Sequence, residues 1–162
     1  NDSVAVVLDE LMAMGSVVVM SGSNQYDELR SIMPPDSSRF QLYSFVSHDM
    51  ASLLGAADVV VARAGATTIL ELAALAKPTI LIPNGELTGG HQLKNAAVYA
   101  KKNAVIVLDE MKVVENPQLL VSAIRDVLID DDCAKKMAKA LSGFARPNAA
   151  KDVAQMIIDS VK

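Results

Sequence analysis

The sequence predicts an α/β fold, a Rossmann-like parallel sheet with helices on both faces. Two observations predict it. Short runs rich in Val, Ile and Leu alternate with helix-length segments, the order that builds a parallel sheet. Hydrophobic residues make up 51% of the chain and aromatic residues only 4%. Ala, Val, Leu and Ile must therefore fill the core, as in sheets buried on both sides. The 162 residues suffice for one full domain. No internal repeat, low-complexity tract or linker divides them.

Taken in order, residues 3–14 place apolar side chains at helical spacing, and Gly15 stops them. Residues 16–21 read as a buried strand. Residues 25–33 read as a short helix ended by Pro34-Pro35, and 39–46 as a strand. A short helix is expected over 49–55 and a buried strand over 57–62. The helix over 66–76 ends at Lys77-Pro78, because proline disfavours helical backbone in the residue before it. A strand over 79–82, a helix over 90–102 and a last strand over 104–107 follow. Two or three helices close the chain, over about 116–130, 131–142 and 147–161, with Pro147 near the start of the last.

The pattern opens on a helix. In doubly wound folds the first strand and the loop after it usually carry a phosphate site, and here both are missing. The chain also begins at Asn1 rather than Met. It therefore reads as a fragment of a longer protein. The formal charge is -4 and no Lys/Arg block stands out, which argues against nucleic acid. The single Cys133 excludes an internal disulfide framework and a Cys-based zinc site. No apolar run approaches the roughly 20 residues that span a bilayer. His48 and His91 have no third ligand at metal spacing, so no metal is expected. No Gly-x-Ser-x-Gly elbow is present. The lack of Gly-x-Gly-x-x-Gly weakens a dehydrogenase-type module.

Two loops leave the carboxyl ends of buried strands, where open α/β sheets bind ligands. The first holds Gly65-Ala66-Thr67-Thr68. Small residues there let backbone N–H groups approach a diphosphate, and the helix behind offers unpaired donors and a positive dipole end. A tight turn in which Gly65 only frees the backbone explains the string equally well. Glu71 is the only charge between Arg63 and Lys77. Its carboxylate could accept from both hydroxyls of a ribose, or it could close a capping box with Thr68. After the second loop, His91 and Asn95 lie four apart on one helix face with Gln92 beside them. Amides suit sugar hydroxyls and an N-acetyl group, or they satisfy neighbouring backbone. His48 or Ser47 reads as a helix N-cap, with Met50 turned inward.

The strings ADVVVARAGATTILELAALAKPTILIPN and GGHQLKNA, with the ending ARPNAAKDVAQMI, resemble the donor-binding half of the MurG-like family. These are family 28 glycosyltransferases that add N-acetylglucosamine to lipid I, giving lipid II of peptidoglycan. The resemblance runs along nearly the whole chain. It implies one half of a GT-B fold, with residues 1–162 as the UDP-sugar domain of an inverting, two-domain enzyme. Its partners would be UDP-N-acetylglucosamine and a lipid-linked acceptor held by the missing N-terminal domain. The whole protein would be peripheral to the inner face of the plasma membrane. It would need no cofactor.

By the same resemblance, Gly65, Ala66, Thr67 and Thr68 lie along the diphosphate and sugar. Glu71 takes the ribose hydroxyls, Gln92 with His91 reads the sugar, and Asn95 supports that loop. Val46 meets uracil through its backbone and Met50 lines the pocket. No catalytic acid or base is expected in this chain, since the family's candidate base belongs to the acceptor half. Three departures bear on the sugar: a longer loop at His48, the string Asn84-Gly85-Glu86-Leu87, and Gly90 where many members carry an acid. A donor-binding subunit or module of another UDP-sugar-dependent, lipid-directed transferase is the alternative reading.

Overall fold

The computed structural model describes residues 1–85 and 90–160. Its elements run α1 (Asp2–Met14), β1 (Val17–Met20), α2 (Tyr26–Ile32), β2 (Phe40–Tyr43), α3 (Met50–Ala56), β3 (Val60–Ala62), α4 (Ala66–Ala74) and β4 (Thr79–Leu81). They continue as α5 (His91–Ala100), β5 (Ile106–Val107), α6 (Glu110–Glu115), α7 (Gln118–Ile129), α8 (Asp131–Ser142) and α9 (Ala149–Ser160). All strand pairings are parallel, as the element order requires.

The strands form two ladders, β1-β2 and β3-β4-β5, that do not pair with each other. Val17 and Ser21 donate their N–H groups to Arg39 and Tyr43 carbonyls at 2.8 and 3.0 Å. The main-chain groups of Val18 and Met20 therefore point to the other edge, since successive residues of a strand bond alternate sides. On β3, Val60 donates to the Pro78 carbonyl and the Ala62 carbonyl accepts from Ile82, at 3.0 and 2.9 Å. Val61 therefore faces away from β4. Both inner edges end without a partner strand among the described residues.

Strand β4 lies at the centre of its ladder and is buried throughout. Ile80 packs with Ala123, Val127 and Met137 on one side. Leu81 packs with Ile69, Leu72, Ala96 and Leu141 on the other. Helices α7 and α4 with α5 thus cover opposite faces. Among the described residues the β1-β2 ladder packs its core on one face: Val19, Phe40 and Leu42 meet Leu8 of α1 and Leu29 of α2. On its other face Val18, Met20 and Tyr43 are exposed. Helix α1 also packs on α7 through Val7, Leu11 and Val121, so the two ladders share one helix layer.

Three strands are shorter than the sequence reading, mainly at one end, and one helix is added, each for a physical reason. The strand expected over 39–46 stops at Tyr43, because β1 ends at Met20 and leaves residues 44–46 nothing to pair with. The strand expected over 104–107 starts at Ile106, because the Ala104 N–H turns back to the Tyr99 carbonyl at 3.1 Å. Strand β3 starts at Val60, where its pairing with Thr79 begins. Helix α6 was not foreseen; Asp109 caps it by accepting from the Lys112 N–H.

Candidate functional site

The carboxyl ends of β3 and β4 and the start of α5 carry most of the candidate residues. Gly65 is the N-cap of α4, and its carbonyl accepts the first helical bond, from Ile69, at 3.0 Å. The N–H groups of Ala66, Thr67 and Thr68 have no intrahelical acceptor. Gly65 has φ -69 and ψ 136, ordinary extended backbone for any residue. A Cβ added there would meet only the Thr68 hydroxyl, at 3.8 Å. The turn therefore does not require glycine for its own geometry. What glycine provides is an uncovered backbone at the helix start.

Thr68 is the third residue of α4, not its cap, so the Thr68–Glu71 capping box does not form. Glu71 sits one turn in, exposed on the helix surface. No described residue bonds to its carboxylate.

Helix α5 reaches both turns. The Asn95 side-chain amide donates to the Ala64 carbonyl at 3.1 Å. The Gln92 side-chain oxygen accepts from the Asn84 N–H at 2.9 Å. No hydrogen bond from its side-chain amide N–H groups to a described residue is formed. His91 opens the helix and is exposed. The strings 84–87 and 88–90, expected to shape the sugar end, lie partly outside the described residues.

Met50 starts α3 and packs against the cluster that includes Ala64, Ile69 and Ala96. That places it beside the β3–α4 turn. Val46 is half-buried in the irregular stretch after β2. The N-cap expected at His48 or Ser47 is instead Asp49, in a left-handed conformation with φ 64. Ser47 Oγ and His48 Nδ1 bond to each other at 2.8 Å, which withdraws both from the helix start.

Arg63 is the residue that the sequence reading passed over. Its guanidinium donates to the Ile82 carbonyl at 3.2 Å and pairs with Glu110 at 2.5 Å. The Arg-x-Gly string marked its place, but Glu110 stands on the unforeseen α6 and could not be matched to it. Two shallow depressions elsewhere, of about 320 and 240 Å³, lie toward the amino ends of the strands. Asp58 and Pro78 line one and Cys133 the other. Neither contains a candidate residue.

Residues 1–154 match the glycosyltransferase family 28 C-terminal domain. A relative from Natranaerobius thermophilus is 30% identical over 97% of this chain and 44% of its own length. One from Halalkalibacterium halodurans is 32% identical over 100% and 45%, and one from Leuconostoc citreum 34% identical over 90% and 40%. All three are named UDP-N-acetylglucosamine--N-acetylmuramyl-(pentapeptide) pyrophosphoryl-undecaprenol N-acetylglucosamine transferase. The chain thus spans less than half the length of these relatives.

Among solved structures, Acinetobacter baumannii MurG superposes with a TM-score of 0.75 at 21% identity, over 98% of this chain and 46% of its own. The glycosyltransferase VinC, solved with dTDP, superposes with a TM-score of 0.65 at 19% identity, over 86% and 32%. At those identities the likeness speaks for the fold, that of one half of a GT-B glycosyltransferase. Fold and sequence match together place this chain in the glycosyltransferase family 28 C-terminal domain family.

Proposed function

We propose that this chain is the UDP-N-acetylglucosamine-binding half of an inverting glycosyltransferase. The complete enzyme would transfer N-acetylglucosamine to undecaprenyl-diphospho-N-acetylmuramoyl-pentapeptide at the inner face of the plasma membrane. The observation that carries the donor reading is the β3–α4 turn. Its glycine is not needed for backbone geometry, and three free N–H groups lie behind it. Family membership supports the same reading, and the names of the relatives supply the acceptor.

In this reading the diphosphate lies on the N–H groups of residues 66–68, with Gly65 leaving room for it. Glu71 accepts from the ribose hydroxyls. Met50 lines the uracil end and the Val46 backbone pairs with the base. Gln92 and His91 address the sugar hydroxyls, and Asn95 holds α5 to the turn. An acceptor hydroxyl attacks the anomeric carbon as the bond from that carbon to the diphosphate oxygen breaks. The electron pair leaves with UDP, and the helix N–H groups stabilise the charge that develops there. The acceptor and the base come from a second domain, so proximity between the two substrates requires both halves.

The two ladders fit this assignment. A further parallel strand between β1 and β3 would pair with both free edges and would carry the phosphate loop expected after it. Calorimetric titration of UDP, UDP-N-acetylglucosamine and NAD tests the proposal. The two uridine ligands should bind and NAD should not. In the complete enzyme, Glu71→Ala should weaken UDP-sugar binding by about 1–3 kcal/mol, the scale of hydrogen bonds to a charged group. Unchanged donor affinity in that variant would remove Glu71 from the ribose.

A further inference from the structure

Arg63 takes no part in the donor contacts above, yet it joins three segments of the site. It follows β3. Its Nη1 donates to the Ile82 carbonyl, where the chain leaves β4, at 3.2 Å. Its Nη2 pairs with Glu110, the first residue of α6, which follows β5. One planar guanidinium therefore ties together the carboxyl ends of β3, β4 and β5.

Two further hydrogen bonds close the frame. Asn95 holds α5 to the Ala64 carbonyl, next to Arg63 in the chain. Gln92 receives the Asn84 N–H, two residues past the carbonyl that Arg63 holds. Arg63 and Gln92 thus hold the exit of β4 at residues 82 and 84. The buried Pro83 lies between the two grips.

We propose that Arg63 is a positioning residue for the sugar end of the donor site. It fixes the β4 exit, and the β4 exit in turn fixes Gln92. This rests on the donor reading above. The chemistry asks for arginine in particular: a rigid fork can serve two acceptors at once, and an ammonium holds no such plane. The ion pair is partly exposed, with side-chain exposures of 48% and 28%, so its direct share of global stability is small. The β3–α4 turn does not depend on it in the same way. Helix α4 is anchored by Ile69, Leu72 and Ala73, all fully buried. Loss of Arg63 should therefore loosen the sugar end while leaving the nucleotide end in place.

The test uses the chain with Arg63→Met and Arg63→Lys. Hydrogen exchange of the Asn84 amide reports the β4 exit directly, and calorimetry with UDP and with UDP-N-acetylglucosamine separates nucleotide from sugar. Both variants should speed Asn84 exchange. They should weaken UDP-N-acetylglucosamine by about fivefold to tenfold, the loss of roughly one hydrogen bond. UDP affinity should change by less than about twofold, and the melting temperature should stay close to that of the parent. Unchanged Asn84 exchange would overturn the proposal, and so would an equal loss of both ligands. If the unsubstituted chain binds neither ligand, the donor reading falls. The sugar-positioning role falls with it, whereas faster Asn84 exchange beside intact donor binding and an unchanged UDP-N-acetylglucosamine affinity overturns the positioning role alone.

Discussion

Gly65 and Glu71 each stood between a structural and a functional explanation, and the backbone separates them. With φ -69 and open space for a Cβ, Gly65 is not there to relieve strain. With Gly65 as N-cap, Glu71 is one turn too far along to cap anything. Residue type and spacing could not separate these alternatives, because the helix start had to be known to within one residue. The expected consequence is a separation of stability from binding. Gly65→Ala should hold or raise stability, by up to roughly 1 kcal/mol, since it reduces the freedom of the unfolded chain at a compatible position. The added methyl should weaken UDP binding by obstructing the approach to the helix N–H groups. Denaturant unfolding beside UDP titration checks this; a large loss of stability would return Gly65 to the fold.

At the scale of elements, helix ends decide how the strands are delivered. Helix α4 closes with the Lys77 N–H on the Leu72 carbonyl and the Ala76 N–H on the Ala73 carbonyl, at 3.1 and 3.2 Å. That is the Schellman arrangement, which needs a left-handed residue. Helix α5 closes the same way, through Ala104 on Tyr99 and Asn103 on Ala100. Asn103 tolerates its φ of 51, whereas Ala76 at φ 48 is strained. Ala76→Gly should relieve that strain. After the offset from greater unfolded-chain freedom, the net gain should be about 0.5 kcal/mol, seen as a higher denaturant midpoint at unchanged slope. The Lys77 ammonium also reaches the Gly55 and Ala57 carbonyls, at 2.5 and 2.8 Å, and so closes the end of α3.

Strand β2 is introduced by a second electrostatic device. Asp36 accepts from Arg30 at 2.8 Å and from the Leu42 N–H at 3.0 Å. The Arg30 bond, then the Leu42 bond, holds its carboxyl below the ordinary value of 3.8. A carboxylate with a depressed folded pKa adds stability above its unfolded pKa and loses it as pH falls through the folded value. The Asp36 contribution should therefore be complete at neutral pH and be lost progressively as the pH falls below about 4 and through the folded value. Asp36→Asn should lower stability at neutral pH and flatten the acid limb of the stability profile. An identical acid limb in that variant would show that other carboxylates govern it.

For the whole molecule, the split between the ladders is the dominant feature. Main-chain groups of Val18, Met20 and Val61 lie on the unpaired edges of β1 and β3, and Val18, Met20 and Tyr43 on the outer face of β1-β2 are partly exposed. Helix α9 adds a second uncovered apolar surface: Val153, Met156, Ile157 and Ile158 are all at least half exposed. Edges and faces of this kind invite pairing with other chains. In the lone chain the amides of Val18, Met20 and Val61 should exchange quickly, while those of Val19 and Ile82, bonded within ladders, exchange slowly. On the proposed reading, a further strand in the complete enzyme should protect all of them. If the chain is the donor half proposed above, it should show no turnover of lipid I with UDP-N-acetylglucosamine, because proximity can supply roughly 7–11 kcal/mol of the barrier reduction and a lone donor half forfeits it. Strong protection of the Val18 and Val61 amides in a monomeric lone chain would remove the open slot.

The sequence by itself determined the class of fold, the order of its elements and the two loops that carry candidate chemistry. Those depend on local periodicity, on proline and glycine punctuation and on short-range motifs, all of which are written along the chain. Tertiary structure alone decided which main-chain groups find partners. The ends of β2 and β3 were set by the strands beside them and the start of β5 by the close of α5, and no run of apolar residues records the length of its neighbour. It also decided that Arg63 meets Glu110, forty-seven residues away, and that Asn95 and Gln92 brace two separate turns. Such contacts arise only when strands distant in sequence lie side by side, because parallel pairing brings their carboxyl ends to one rim.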